Sequence, residues 1–245
     1  MELTILGCWA PYPRVGEACP GYLIRTEKAT VLLECGHSVF SVLQKYQDFK
    51  HLDLVVISHF HPDHYVDLYA FRHALRATKM LGQRSEPLRL LVPAQPVDMF
   101  NYWYSTEEFR VEPIACPVEV RDIKLSFVPV LHTMPGYMIV AEDQRGHRLV
   151  YSGDTDYIEE SLGAAAGADV LLAEASILDR DREYARKAKH LTAKETGRWA
   201  NWCRAKKLVL THFWPEYDLK EIEAEARSEY SGELVLAREG LKVEI

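Results

Sequence analysis

Four side chains able to bind a metal fall within six residues, in the segment Ser58-His59-Phe60-His61-Pro62-Asp63-His64. The run before them, Leu54–Ser58, has the apolar, β-branched content of a buried strand. In extended chain, residues two apart point the same way, so His59 and His61 can present their imidazoles to one point. Where the chain turns into the next helix, Asp63 and His64 can face a second point nearby. Three imidazoles and a carboxylate suit a borderline divalent cation such as Zn²⁺, with Mn²⁺ or Fe²⁺ as alternatives.

Further candidates stand at later strand ends. His132 follows the apolar residues up to Leu131, Asp154 sits in Tyr-Ser-Gly-Asp-Thr just past a strand ending at Tyr151, and His212 follows Leu-Val-Leu-Thr. Each alone reads as readily as a turn-former or a satisfied polar group. Together they reach the same rim of a sheet, where ligands from distant segments converge. Glu174, at the end of the apolar run from Val170, and His190, just ahead of a helix, form a second candidate pair. A carboxylate bonded to an imidazole raises its pKa and fixes its tautomer.

These residues need elements to hold them. Strands are expected at Leu3–Cys8, Gly21–Thr26, Val31–Cys35 and Leu54–Ser58, with helices over Ser38–Tyr46 and from His64 to about Met80. The segment 83–122 reads as a strand, a short helix near Val97–Tyr104 and a connection. The second half has strands at Lys124–Val130, Tyr137–Ala141, Arg148–Tyr151, Val170–Ala173, Lys207–Thr211 and Leu234–Ala237. Helices are expected over Thr192–Ala205, opened by a Thr192/Glu195 capping box, and over Asp218–Glu229. Strands ahead of helices in both halves, with no linker between, predict two sheets back to back with helices outside and one domain over 1–245.

The 245 residues are 48% hydrophobic, enough for a sizeable core. No apolar run reaches the ~18 residues of a membrane helix, and the N-terminus reads as a first strand, not a signal peptide. Five widely spaced cysteines without a C-x-x-C pair read as reduced thiols in the cytoplasm. A formal net charge of −7 gives no bulk attraction to long RNA or DNA. The partners expected are a small-molecule or short-nucleotide substrate, with no membrane; a homodimer is left open.

His-x-His-x-Asp-His, a later His, an Asp in Ser-Gly-Asp and a last His resemble the metallo-β-lactamase superfamily in order and spacing over nearly the whole chain. The resemblance implies a four-layer αββα sandwich of the α/β class. It also implies two divalent metal ions: one held by His59, His61 and His132, the other by Asp63, His64 and His212, with Asp154 bridging. His61 differs from the Glu of the oxygen-reducing branch, and Asp154 differs from the Cys of the antibiotic-degrading enzymes. The Glu174/His190 pair resembles the ribonuclease Z-like branch, which implies that His190 protonates the leaving oxygen and Glu174 orients it. Glu34 stands where that branch carries Asp, and no long basic insertion like a tRNA-gripping arm is present. Over the full length the chain is most similar to the YhfI-like group of small metallo-hydrolases. The function implied is a phosphodiesterase acting on RNA ends, short oligonucleotides or cyclic nucleotides, with Asp63 also orienting the attacking water. The alternatives are an ester, lactone or thioester hydrolase and, more remotely, a non-catalytic metal-binding protein. Arg14 is a further candidate for holding a phosphate, and Phe213 and Trp214 for lining a pocket.

Overall fold

Strand β4 (Leu54–Val56) lies inside a sheet and is buried on both faces, which is why its sequence is a continuous apolar run. Leu54 and Val56 face the second sheet, whereas Val55 and Ile57 face a helical layer. Each such fully buried side chain contributes roughly 1.5–3 kcal/mol relative to exposure. The structure, a computed structural model, describes residues 1–158 and 162–245.

The first sheet also contains β1 (Glu2–Gly7), β2 (Gly21–Arg25), β3 (Thr30–Leu33), β5 (Leu88–Val92), β6 (Phe109–Pro113) and β14 (Lys242–Glu244), in the order β14-β1-β2-β3-β4-β5-β6. The second contains β7 (Val118–Val120), β8 (Ile123–Pro129), β9 (Tyr137–Asp143), β10 (Arg148–Tyr151), β11 (Val170–Glu174), β12 (Lys207–Thr211) and β13 (Glu233–Leu236), in the order β13-β12-β11-β10-β9-β8-β7. In each sheet the pairing is antiparallel on one side, from β14 to β3 and from β7 to β10. It is parallel on the other, from β3 to β6 and from β10 to β13. Ligands in open parallel arrangements collect at the carboxyl ends of the strands, and His59, His61, Asp154, Glu174 and His212 sit at such ends.

Helices α1 (Val39–Tyr46), α3 (Leu68–Met80) and α4 (Val97–Tyr104) cover the first sheet through Val39, Leu43, Phe71 and Trp103. Helices α6 (Ala193–Trp202) and α7 (Leu219–Arg227) pack on the second through Trp199, Ala200, Ile222 and Ala226. The αββα sandwich is therefore the architecture.

The helix expected from His64 to Met80 is in fact two. A single turn, α2 (Pro62–Tyr65), precedes α3, because Asp67 leaves the helical ladder between them. The Asp67 amide donates to the Cys35 carbonyl, and its carboxylate accepts from the Phe40 amide at 3.0 Å. A short helix, α5 (Arg182–Ala188), and the strands β6, β7 and β14 were not anticipated. The Thr192 capping box is present as expected: its hydroxyl accepts from the Glu195 amide at 3.2 Å, and Glu195 accepts from the Thr192 amide at 3.1 Å.

Candidate metal centre

Backbone geometry brings the motif to the seam between the sheets. His59 and His61 follow β4, and Pro62 starts α2 at its first position, which turns Asp63 and His64 inward. A Cβ on Gly36 would lie 1.8 Å from the Asp63 carbonyl oxygen, so only glycine lets this turn approach the end of β3 so closely. After β10, Gly153 has φ +59, and a Cβ there would meet the Tyr137 carbonyl at 2.8 Å. The next residue, Asp154, is thereby set between the sheets. His212 itself stands at φ 60, a conformation that costs a non-glycine residue on the order of 1–3 kcal/mol and recurs at functional sites.

Asp154 is the hub. Its Oδ2 lies 3.2 Å from His212 Nε2, 3.3 Å from His64 Nε2, 3.6 Å from His59 Nε2 and 3.8 Å from His132 Nε2. Its Oδ1 is buried with no hydrogen-bond partner. The ligand atoms of His59, His61, His132 and Asp154 lie within 4.8 Å of one another, and so do those of Asp63, His64 and His212. His61 Nδ1 is 3.0 Å from both His59 Nε2 and His132 Nε2, and His64 Nε2 is 3.2 Å from His212 Nε2. Buried imidazole nitrogens facing one another around Asp154 Oδ2, with Oδ1 of the same carboxylate left without a partner, are the donor set a divalent cation satisfies. The fold and this cluster make the chain a binder of divalent metal.

The outer ring atoms of His132, His59 and His212 have partners too, whereas that of His64 has no hydrogen bond among the described residues. His132 Nδ1 donates to the Lys189 carbonyl at 2.9 Å, so its Nε2 lone pair is the one that faces the cluster. Ser58 Oγ is 3.0 Å from His59 Nδ1, and the buried Glu34 carboxylate lies 3.5 Å from His64 Nδ1. Ser176 Oγ donates to Glu174 Oε2 and therefore accepts from His212 Nδ1, at 2.7 Å. Sequence reasoning missed Ser58 and Ser176. The available signal for Ser176 was its spacing of two from Glu174, which puts both on one side of extended chain.

Charge divides the imidazoles. Burial and the neighbouring His132 hold His61 down at about 4; burial and His64 push His59 well below its ordinary value, and burial lowers His132. At His64 and His212 burial opposes protonation, but nearby carboxylates, Asp154 foremost, outweigh it. His64 is raised well above its usual range and His212 to about 10. Asp154 is itself held well below the carboxylate range: burial opposes ionisation, and His212, His64 and His59 overcome it.

Glu174 and His190, distant in sequence, meet in space. His190 Nδ1 donates to Glu174 Oε2 at 2.8 Å, and Glu174 Oε1 accepts from the Thr155 amide at 2.7 Å. The Thr196 hydroxyl at the start of α6 donates to the Glu174 carbonyl at 2.6 Å, tying the helix to the end of β11. The His190 ring stands 5.0 Å from His132 and 5.4 Å from His212, centroid to centroid. Burial alone would lower its pKa; the Glu174 charge and hydrogen bond turn the shift upward.

Other expectations divide. Arg14 does not reach the centre: its guanidinium lies over Trp9 at 3.9 Å and donates to the Pro215 and Tyr217 carbonyls. Phe213 is fully buried against Trp9, whereas Trp214 lines the cavity that opens on His61, Asp63, Asp154, His190 and His212. Of the remaining histidines, His147 pairs with Asp143 at 2.9 Å and His73 is exposed.

Residues 29–213 match the β-lactamase superfamily domain. The chain is 28% identical over 245 residues to the probable metallo-hydrolase YhfI of Bacillus subtilis, covering 98% of each protein. The crystal structure of that YhfI superposes with a TM-score of 0.95 at 25% identity, over 99% of this chain and 98% of the other. Ribonuclease Z of Myxococcus xanthus is 27% identical over 307 aligned positions, covering all of this chain and 98% of that protein. An alignment longer than this 245-residue chain means that the ribonuclease carries insertions the chain lacks. The short form of human tRNase Z shares the fold, with a TM-score of 0.77 at 20% identity, over all of this chain and 99% of that one. The chain belongs to the metallo-β-lactamase superfamily, as a metal-dependent hydrolase of the ribonuclease Z-like and YhfI-like kind.

Proposed function

We propose that the chain is a dinuclear phosphodiesterase acting on RNA ends, short oligonucleotides or cyclic nucleotides. His59, His61 and His132 would hold one cation and Asp63, His64 and His212 the other, with Asp154 shared between them. Zinc suits this nitrogen-rich set, and manganese or iron are the alternatives. The observation that carries the reading is His190, bonded to Glu174 and standing against His132 and His212.

Bound divalent cations supply Lewis-acid charge and a water of lowered pKa. The chain's own groups do the rest. Asp63, at the cavity floor, orients the attacking water. Glu174 accepts a hydrogen bond from His190 Nδ1–H and its charge favours the protonated ring, whose Nε2–H then donates to the departing oxygen. That donation suits a nucleoside phosphodiester, whose leaving alkoxide is a strong base. The insertions of the ribonuclease Z relative, absent here, favour short substrates over a folded tRNA. No described helix is long and apolar enough to cross a membrane. The five free cysteines, four of them buried, fit the reducing cytoplasm we assign.

The test is protein loaded with Mn²⁺ or Zn²⁺, assayed on bis-p-nitrophenyl phosphate beside p-nitrophenyl acetate. Diester turnover is the expected result, and on a dinucleotide, whose alkoxide leaving group needs the proton, His190→Ala should lower it by about 10²–10⁴-fold at unchanged metal content. Ester turnover alone makes it a carboxylic ester, lactone or thioester hydrolase, and metal binding without turnover of either makes it a binding protein.

A further inference from the structure

The cavity over the centre holds about 450 Å³, near the small end of the ~300–1,000 Å³ usual for small-molecule sites. Its wall is made by Pro11, Pro62, Tyr184, Ala188 and Trp214, and no Lys or Arg lines it among the described residues. Anion binding therefore falls to the metal positions and His190, and apart from the Thr133 hydroxyl the rest of the wall offers an apolar or aromatic hold.

Two rings supply that hold. Tyr184, on α5, meets Trp214 edge to face at 5.5 Å and 71°. Tyr184 belongs to the segment that carries the acid, whose His190 amide donates to the Ala185 carbonyl at 3.0 Å, and Trp214 follows the proposed ligand His212 by two residues. Trp214 is fixed in advance. It stacks on Tyr217 at 15°, and its loop is braced by Arg14, which donates to the carbonyls of Pro215 at 2.9 Å and Tyr217 at 3.2 Å. The Phe213 amide and carbonyl are taken by Cys8 and Ala10, both at 2.9 Å. Tyr184, by contrast, is 52% exposed. A pre-fixed indole beside a solvent-facing phenol offers a planar ring an aromatic surface with little ordering cost.

We propose that Tyr184 and Trp214 form a subsite for one nucleobase beside the scissile phosphate, so that the substrate is a nucleoside phosphodiester of about mononucleotide size. The proposal rests on the phosphodiesterase reading and narrows its substrate class. The cavity admits one such unit, and the absence of cations on its wall leaves nothing to track a longer backbone.

The test compares adenosine 5′-monophosphate with ribose 5-phosphate, which share the phosphate and the sugar and differ by the base. Binding of each to zinc-loaded protein is measured by calorimetry, which needs no turnover. The nucleotide should bind roughly tenfold or more tighter, the range of one base–aromatic stack. That ratio should fall towards one in Tyr184→Ala and in Trp214→Ala. Equal binding of the two probes to the unaltered protein overturns the proposal, and so does a ratio that survives the Tyr184 substitution. The Tyr184 variant decides alone if the Trp214 variant misfolds, because half of the Tyr184 side chain already lies in solvent. A preserved preference without hydrolysis of bis-p-nitrophenyl phosphate would sink the phosphodiesterase reading and leave the base subsite standing. Hydrolysis with equal binding would do the reverse.

Discussion

The two halves of the metal centre are built from similar parts and poised oppositely. His59, His61 and His132 crowd one another, and burial with mutual repulsion keeps their lone pairs free at neutral pH. His64 and His212 stand among Asp63, Asp154 and Glu34, whose charges hold protons on both rings. The first group is ready for a cation as it folds, whereas the second must exchange protons for one. The two proposed sites thus differ in what loading costs, because one is lined mainly by imidazoles and the other also by carboxylates.

Removing the shared carboxylate should erase that difference. Asp154→Ala takes a ligand atom from both groups, and we expect hydrolysis to fall by at least about 10³-fold. Metal analysis should show fewer than two ions per chain. Full metal content in that variant would contradict the hub role.

Acidification should separate the halves. Both His64 and His212 are raised, so lowering the pH keeps protons that a cation must displace. Affinity at the second group should therefore drop by up to about 100-fold per pH unit, while the first group changes little until the pH nears the value of about 4 for His61. Zinc titration of apoprotein at pH 6 and pH 8, with the released protons counted by calorimetry, checks this. Equal pH dependence of the two binding steps would break the comparison.

Ser176 acts on one half only. Its hydroxyl fixes the ring of His212 by accepting from Nδ1, and such outer partners are worth about 10–100-fold in metal affinity. Ser176→Ala should weaken the second binding step by that factor and leave the first unchanged. The smallest effect expected is that of Glu174→Gln. Without the carboxylate charge the His190 pKa falls, so the acid is lost at lower pH. The alkaline limb of the diester pH profile should move down, with a loss of up to about tenfold near pH 8 and little change near pH 6.

The legible parts of the molecule were those written in consecutive residues. His59 to His64 could be read because strand spacing and a helix start act within six positions, and the Thr192 capping box because it spans three. The metal-site candidates His132, Asp154 and His212 could be placed only at strand ends, since their convergence depends on the packing of two sheets. What escaped was set by distant contacts. Asp67 breaks its helix to bond Cys35 and Phe40, and the three-residue strand β14 exists only by pairing with β1. Helix α5, seven residues of mostly charged chain, shows no apolar period, yet it carries Tyr184 to the cavity. Arg14 was misread because its partners, the Pro215 and Tyr217 carbonyls, lie some two hundred positions away.

Gly36 has a use beyond this chain. The Asp63 carbonyl occupies the space where a side chain at position 36 would begin, so the second ligand turn and any larger residue there are mutually exclusive. A relative that keeps all seven proposed ligands but carries a larger residue at the equivalent of Gly36 must have displaced that turn. One position outside the centre thus serves as a diagnostic for whether a copied ligand list still describes a working geometry.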